Sequence, residues 1–299
     1  MRVFVTGATG FIGSAVVKEL IDAGHQVLGL ARSDSAAQSL TAAGAGVHRG
    51  DLENLDSLRS GAAASDGVIH LGFIHDFARF KEVCAIDRVA IETIGAALAG
   101  TNRPFVVTSG TALVSPGRLA TEDIIPAPGA TAHPRQSEPA SDAVAQLGVR
   151  TSVIRLAPSV HGEGDRSGFI PILIQIARQK GVSAYIGDGR NRWNAVHRLD
   201  AAHLYRLALE KEAAPKIRYH GVAEEGIAFK AIAESIGRHL NVPVASVPPE
   251  KAAEHFGWFT SFAELDIPAS SKLTRESLKW QPVQPSLLAD MEQGSYFKN

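Results

Sequence analysis

A glycine-rich turn near the start of the chain most constrains the fold. Gly7, Gly10 and Gly13 lie between an apolar run, Arg2–Thr6, and a helical pattern over Phe11–Ala23, and a second apolar run follows that helix. Glycine permits a tight turn and a close approach of backbone to an anion, and the helix N-terminus offers free N–H groups with partial positive charge. The order strand, turn, helix, strand therefore predicts a site for the pyrophosphate of a dinucleotide. The alternative reading is a tight turn that is only incidentally rich in glycine.

Strand-like and helical patterns alternate through the first half of the chain. The predicted strands are Arg2–Thr6, Gln26–Leu30, Gly46–His48, Gly67–Leu71, Pro104–Thr108 and Thr151–Leu156. The predicted helices are Phe11–Ala23, Ser35–Ala43, Asn54–Ala62, Phe77–Ala99 and Gln136–Leu147. The strands are continuous apolar runs, as in sheets buried on both faces, so the pattern predicts an α/β fold with a Rossmann-type, doubly wound parallel sheet.

The pattern loosens after about residue 157, where glycine and proline become frequent. We expect residues 1–157 to form the dinucleotide-binding domain, with its sheet completed by segments from residues 193–222. Residues 158–299 are expected to form mostly a smaller, C-terminal, substrate-binding α/β subdomain.

Composition narrows the class of protein. The formal net charge of −1 gives no reason to expect a nucleic-acid or membrane partner, and no apolar run approaches the length of a membrane span. The chain begins with a strand-like segment rather than a signal peptide, and its single cysteine, Cys84, has no internal partner. These features predict a cytoplasmic protein. No set of residues has metal-ligand spacing, so no metal is expected.

The end of the second predicted strand indicates which dinucleotide is bound. An acid at this place would hold both ribose hydroxyls of NAD, whereas this chain has Arg32 and Ser33. Arg32 can stack on adenine and pair with a 2′-phosphate, to which Ser33 can also donate. We expect the following Asp34 to cap the next helix. The sequence therefore favours NADP(H) over NAD(H).

The segment TGATGFIG at residues 6–13 resembles the signature of the extended short-chain dehydrogenase/reductases, the NAD-dependent epimerase/dehydratase family. Further segments that resemble the family are Asp51–Leu52, His70–Phe73, Thr108–Thr111, Arg155–Gly162 and Val196–Asp200. Together with the turn and Arg32–Ser33, the resemblance implies these cofactor-binding residues: Thr6, Gly7, Thr9, Gly10, Phe11, Ile12, Gly13, Arg32, Ser33, Asp51, Leu52, Leu71, Gly72, Phe73 and Pro158. It also implies a possible homodimer through the helices near Phe77–Ala99 and Gln136–Leu147.

The chain departs from the family at its catalytic Tyr-x-x-x-Lys pair. Its tyrosines are Tyr185, Tyr205, Tyr219 and Tyr296, and none is followed four residues later by lysine. The resemblance places Ala130 and Pro134 at the two positions. The chain therefore resembles an atypical branch of the family, and the usual proton transfer by tyrosine cannot be carried over.

Four residues are candidates to replace the tyrosine. Ser109 and Thr111 end the fifth strand and can orient a carbonyl oxygen, or can simply cap the strand. His75 follows the fourth strand, at the sheet edge where ligands bind, and can donate a proton; alternatively it is solvated while Asp76 caps the next helix. His161 is expected near the nicotinamide, either in the pocket or packed beside it.

The expected substrate side contains a second set of candidates. His133 and Arg135 lie beside the vacated pair, and Trp193 and His197 belong to a segment that lines the substrate side in relatives. The structural alternatives are an exposed loop charge for Arg135 and a buried, hydrogen-bonded position for His197. A late aromatic cluster, spanning residues 256–262, is expected either in the core or as the wall of a pocket for an apolar or aromatic substrate.

Two functions of different class follow. The first is an NADP(H)-dependent oxidoreductase acting on the carbonyl or alcohol of a small organic molecule. The alternative is an NAD(P)-binding sensor or scaffold without turnover. A sugar-nucleotide-type epimerase or dehydratase is a weaker variant, since such enzymes usually depend on the missing tyrosine.

Overall fold

A seven-stranded parallel sheet organises the molecule, which is described from a computed structural model covering residues 1–125 and 134–298. The strands of the chain are β1 (Arg2–Thr6), β2 (Gln26–Ala31), β3 (Gly46–Arg49), β4 (Gly67–His70), β5 (Pro104–Gly110), β6 (Arg150–Leu156), β7 (Ser159–His161), β8 (Ser183–Ile186), β9 (Arg192–His197), β10 (Ile217–Gly221), β11 (Glu224–Ala228) and β12 (Val244–Val247). The large sheet has the order β3-β2-β1-β4-β5-β6-β10. Strand order reverses between β1 and β4, and such a switch point opens a crevice for ligands at the carboxyl ends of the strands.

Helices cover both faces of this sheet. The helices of the described chain are α1 (Phe11–Asp22), α2 (Asp34–Ala42), α3 (Leu55–Ala63), α4 (Phe80–Leu98), α5 (Ser137–Ala145), α6 (Phe169–Lys180), α7 (Arg198–Glu210), α8 (Phe229–Leu240), α9 (Ala252–Phe256), α10 (Thr260–Ala263), α11 (Lys272–Leu278) and α12 (Leu287–Gln293). Within β1, Val3 and Val5 pack in the core shared with α1 and α7, whereas Phe4 packs in the core beneath α3, α4 and α5. Successive strand residues alternate between faces, so both faces of an apolar strand become buried.

The second half of the chain forms two smaller sheets. β11, β9 and β7 make one, and β12 and β8 make the other. Their core contains apolar residues of α6, α8 and α12. The segment from residues 193–222 divides between the sheets: β10 pairs in parallel with β6, whereas β9 pairs with β7 and β11.

The six strands predicted in the first half are present with ends shifted by at most two residues. The predicted helix Phe77–Ala99 begins with a single 3₁₀ turn over Phe77–Arg79, and the Asp76 carboxylate caps it by accepting from the backbone N–H of Ala78 and Arg79. Among the described residues, no helix combines the length and apolar character needed to cross a lipid bilayer.

Candidate active site

Two of the three glycines close the turn after β1. Gly7 has a φ of +67°, and a Cβ there would lie 2.8 Å from the backbone nitrogen of Gly72. A Cβ on Gly13 would lie only 2.0 Å from the carbonyl oxygen of Gly7. Any side chain at either position would push α1 away from the strands, so these glycines seat the helix against the sheet.

The third glycine leaves room for a ligand. Gly10 is the N-cap of α1, and no side chain caps the helix there. A Cβ at Gly10 would meet only the Gly7 carbonyl oxygen, at 3.2 Å. The first backbone N–H groups of a helix have no partner within it, so the open turn fits the pyrophosphate of a dinucleotide.

Other predicted cofactor residues adjoin this turn. Asp51 is exposed after β3, and its Oδ1 accepts from the backbone N–H of Glu53 (2.9 Å) and Asn54 (2.8 Å). The Leu52 side chain lies against Gly72, where a Cβ would be 3.0 Å from Leu52 Cδ2. Thr9 is exposed, whereas Phe11, Ile12, Leu71, Phe73 and Pro158 are half-buried.

One arginine, Arg32, and one carboxylate, Asp34, follow the end of β2. Arg32 is exposed and follows the buried Ala31. Ser33 is the N-cap of α2 and accepts from the Ala36 N–H at 3.2 Å, so the expectation that Asp34 caps this helix is wrong. Asp34 is instead the first helical residue, and its carboxylate pairs with Arg49 at 2.6 Å. The acid nearest to Arg32 therefore already has a cationic partner.

A buried chain of hydrogen bonds runs from the turn to α4. Thr6 Oγ1 accepts from the backbone N–H of Gly72 (3.0 Å) and lies 2.8 Å from His70 Nδ1. His70 Nε2 lies 3.2 Å from Asp87 Oδ1. If the Thr6 hydroxyl donates to Nδ1, His70 carries its proton on Nε2 and donates it to Asp87. Thr6 is fully buried, and its hydroxyl fixes the loop through these internal hydrogen bonds.

The same chain continues to Arg135 at the start of α5. Ser137 Oγ donates to Asp87 Oδ2 (2.5 Å) and accepts from Arg135 Nε (3.0 Å). Arg135 Nη2 also donates to the carbonyl oxygen of Thr108 (3.2 Å), and its guanidinium lies 4.4 Å from the centre of the Phe73 ring. The cation is therefore held between the ends of β4 and β5, the edge where the candidate reaction site lies.

The charge of Arg135 affects two nearby titratable groups. Burial alone would raise the pKa of Asp87, but the hydrogen bonds from His70 and Ser137 and the positive charge of Arg135 lower it below its ordinary value. The protein around His75, and secondarily the charge of Arg135, lower the pKa of that imidazole. His75 is exposed beside Phe73, and it is neutral near pH 7.

The two predicted hydroxyls of β5 and the following turn are in different situations. Ser109 Oγ is buried and has no hydrogen-bond partner among the described residues. Thr111 is buried too, but its Oγ1 donates to the Leu156 carbonyl (3.3 Å) and accepts from Asn194 Nδ2 (3.1 Å). Of the two hydroxyls, Ser109 has no hydrogen-bond partner in the described part of the chain, whereas Thr111 joins the large sheet to β9.

His161 and His197 lie together, with their ring centres 5.3 Å apart. His161 Nδ1 is 2.9 Å from Asp290 Oδ2, and its Nε2 is buried without a partner in the described part of the chain. His197 Nδ1 accepts from the backbone N–H of Leu199 (3.2 Å), and burial, followed by the charge of His161, lowers the pKa of His197. These histidines connect β7 and β9 with α12.

Trp193 is fully buried among aromatic rings of the second core, so its side chain is closed to solvent. His133 and Ala130 lie outside the described residues. Within the described residues, no group of three or more histidine, cysteine, aspartate or glutamate side chains could hold a metal ion.

Sequence reasoning missed the partners that organise these candidates. Asn194 and Asp290 contact the predicted Thr111 and His161 from distant parts of the chain. Asp87 and Ser137 link His70 to the predicted Arg135. Only Asp87 had a visible signal, since a single acid in the apolar stripe of α4 is buried only with partners.

The family model for the NAD dependent epimerase/dehydratase family matches residues 3–220. An uncharacterized protein of Schizosaccharomyces pombe is 52% identical over 99% of this chain and 100% of its own length. The 4-hydroxy-2-methyl-3-oxo-4-farnesyl-3,4-dihydroquinoline-1-oxide ketoreductase of Stigmatella aurantiaca is 29% identical over 71% of this chain and 65% of its own.

A solved structure has the same fold. UDP-glucose 4-epimerase of Thermotoga maritima, in a structure with UDP-glucose, superimposes with a TM-score of 0.76 at 20% identity, covering 100% of this chain and 99% of that one. The family model spans most of the chain, including the open glycine turn and the switch point of the sheet. This chain therefore belongs to the NAD dependent epimerase/dehydratase family.

Proposed function

We propose that the protein is an NADP(H)-dependent oxidoreductase that interconverts the carbonyl and alcohol of a small organic molecule. One observation carries the proposal: an unpartnered Ser109 hydroxyl and the Arg135 cation lie at the strand ends beside an open dinucleotide turn. When bound, the nicotinamide cofactor supplies or accepts a hydride.

Different residues of the chain bind different parts of the cofactor. The backbone N–H groups after Gly10 hold the pyrophosphate, and Asp51, Leu52 and Gly72 border the adenosine. Arg32 pairs with the 2′-phosphate that distinguishes NADP from NAD. Because Arg49 neutralises Asp34, no unpaired carboxylate of α2 opposes that phosphate.

Ser109 and Arg135 act on the substrate oxygen. The Ser109 hydroxyl donates a hydrogen bond to the carbonyl, and the Arg135 guanidinium stabilises the negative charge that develops on this oxygen. The chain through Ser137, Asp87 and His70 fixes the position of Arg135. Water supplies the proton, because His75 is already neutral near pH 7 and the chain has no tyrosine at the usual position.

The relative named as a ketoreductase supports reduction of a ketone over epimerisation. The second candidate function, a cofactor sensor without turnover, is favoured by a separate observation. Two predicted catalytic groups, Thr111 and His161, are engaged in internal hydrogen bonds.

The first experiment measures NADPH and NADH binding by titration and turnover against a panel of ketones and aldehydes. We expect NADPH to be preferred, and Arg32→Ala to raise the Kd for NADPH about 10- to 100-fold while leaving that for NADH unchanged, since a charge-assisted phosphate pair is lost. Arg190→Ala, at an exposed arginine of the β8–β9 turn, is the matched control.

Three results decide between the readings. Turnover with NADPH supports the oxidoreductase. Tight NADPH binding without turnover across the panel favours the sensor. Absence of binding by both cofactors refutes both readings.

A further inference from the structure

A group of five half-exposed aromatic side chains borders the candidate site. We call it the aromatic rim; its members are Phe73, Phe77, Phe80, Trp258 and Phe262. Phe77 is stacked on Trp258 (ring centres 5.2 Å apart, planes at 27°) and on Phe80 (6.0 Å, 22°). It meets Phe262 edge-on at 5.4 Å. The rim thus joins the β4–α4 connection to the α9–α10 region.

The rim differs from the aromatic core beneath it. Trp193 and Phe259 are completely buried, whereas Trp258 is 57% exposed. Burying an aromatic ring is strongly favourable, so an exposed tryptophan that continues a row of half-buried rings marks a binding surface. The late aromatic cluster therefore splits into core residues and surface residues.

The inner end of the rim reaches the proposed reacting groups. Phe73 follows β4 and lies beneath the Arg135 guanidinium, 4.4 Å from ring centre to carbon. Arg135 in turn contacts the Thr108 carbonyl, next to Ser109. A molecule whose carbonyl meets Ser109 and Arg135 would extend its remainder along the rim.

Backbone geometry fixes the outer end. Gly257, immediately before Trp258, has φ +56° and ψ −131°, a conformation that side-chain-bearing residues rarely adopt. A Cβ at Gly257 would meet nothing within 4 Å, so packing does not demand glycine there. What glycine provides at this position is the backbone path that presents Trp258.

We propose that the aromatic rim binds a planar aromatic ring carried by the substrate, so that the enzyme selects aryl ketones, or their alcohols, over non-planar ketones of equal size. The near-parallel rings of Phe77, Phe80 and Trp258 favour a flat partner in offset stacking. Arg135 at the inner end suits the polarised carbonyl conjugated to such a ring. This inference rests on the proposed function for its chemistry but not for its binding test.

The binding test uses tryptophan fluorescence with NADPH present. Trp193 and Trp280 are buried and Trp258 is exposed, so a ligand on the rim quenches chiefly Trp258. We expect saturable quenching by acetophenone, with a Kd that rises about 10-fold in Phe77→Leu, a variant that removes a rim ring and keeps Trp258 as the reporter. Cyclohexyl methyl ketone has the same size and a non-planar ring. Its dissociation constant, measured by displacement of acetophenone, should be at least 10-fold higher than that of acetophenone.

The kinetic test compares the same two ketones as substrates. We expect Trp258→Leu and Phe77→Leu each to lower the ratio of kcat/KM for acetophenone over cyclohexyl methyl ketone about 10-fold, within the range by which apolar pocket contacts discriminate substrates. Gly257→Ala should reproduce part of this loss. Leu273→Ala, at an exposed leucine of α11, is the control and should leave the ratio unchanged.

The outcomes separate the two proposals. Saturable Trp258-dependent quenching without turnover of any carbonyl refutes the oxidoreductase and supports the rim as an aryl-binding surface. Equal affinity for the two ketones, or linear quenching without saturation, overturns the inference. It is also overturned if Trp258→Leu instead converts a dimer to a monomer in sedimentation, because the rim is then an interface between copies.

Discussion

Ser109 and Thr111 lie two positions apart, yet their surroundings assign them opposite roles. Ser109→Ala removes a hydroxyl that has no partner among the described residues. We therefore expect turnover to fall about 10- to 100-fold, as for a lost hydrogen bond to the developing oxyanion. The free energy of unfolding should not fall, because the buried hydroxyl that is removed makes no hydrogen bond within the described residues. Steady-state kinetics and urea unfolding on one preparation test both expectations.

Thr111→Val is the counterpart and should mainly affect stability. It leaves the amide of Asn194 without its Thr111 partner inside the protein, and an unsatisfied buried polar group costs about 1–3 kcal/mol. The measurement is the urea midpoint at constant m-value. If Thr111→Val loses activity and keeps its stability, while Ser109→Ala does the reverse, the two roles are exchanged.

His75 and Arg135 allow an electrostatic test of the site. The protein around the His75 ring is the larger cause of its lowered pKa, and the charge of Arg135 is the smaller one, so Arg135→Gln should raise that pKa part of the way to its ordinary value. The pH titration of the His75 ring protons by NMR measures the shift, with His75→Asn to assign the resonance. An unchanged pKa in Arg135→Gln would show that the guanidinium does not face His75.

At the scale of single residues, the sequence was sufficient to predict a residue's role where its contacts are local. The turn residues Gly7 and Gly13 could be identified because strand, turn and helix are contiguous in the sequence. The spacing of the glycines between them indicates the tight turn. The engagement of Thr111 by Asn194, or of His161 by Asp290, could not be read, because the partners are 83 and 129 residues away. Separation of this kind leaves no local pattern.

Among the elements, α5 depends most on tertiary charge pairing. It is nine residues long and contains Pro139, and Glu138 in its first turn pairs with Arg155 of β6 (2.8 Å) and Arg218 of β10 (3.0 Å). Arg155 is fully buried, so removing the carboxylate leaves a buried charge unpaired. We expect Glu138→Gln to lower the free energy of unfolding at pH 7 by about 3–5 kcal/mol.

The pH dependence of that loss has a definite sign. Burial would raise the pKa of Glu138, but the two arginines outweigh it and hold the pKa below its ordinary value of 4.5. The stabilisation is therefore complete above about pH 4.5 and disappears as pH falls through the lower pKa of the folded state. Urea unfolding of both proteins from pH 3 to 7 should show their difference shrinking only below pH 4.5. A constant difference would contradict the ionic origin.

The positions of the strands and helices were the most predictable feature of the structure. β1, β2 and β5 are apolar runs because both faces of the sheet are covered. A short apolar run of this kind is distinct from the periodic apolar and polar pattern of a surface helix. The 3₁₀ turn before α4 was less accessible, because Asp76 signals the cap but not the type of the first turn. The placement of β9 outside the large sheet depends on pairing with β7, which no local pattern encodes.

For the whole molecule, the sheet contacts argue that residue 157 does not divide the chain into independent folding units. β10 pairs along its full length with β6, and Tyr205 of α7 is buried with its hydroxyl 2.7 Å from Thr108 of β5. We propose that the segments before and after about residue 157 have separate roles in binding cofactor and substrate. The two segments nevertheless fold together as one cooperative unit. A fragment of residues 1–157 would expose the β6 edge and the face that α7 covers.

We therefore expect that fragment to show no cooperative thermal transition, whereas the full chain unfolds in one calorimetric transition. NADPH at 100 times its Kd should stabilise the full chain by about 2.7 kcal/mol, because it binds only the folded state, and the whole transition should move to higher temperature. Two separate transitions, with only the first shifted by NADPH, would instead identify residues 1–157 as an autonomous unit. A single shifted transition means that the second half of the chain stabilises the cofactor site through β10 and α7.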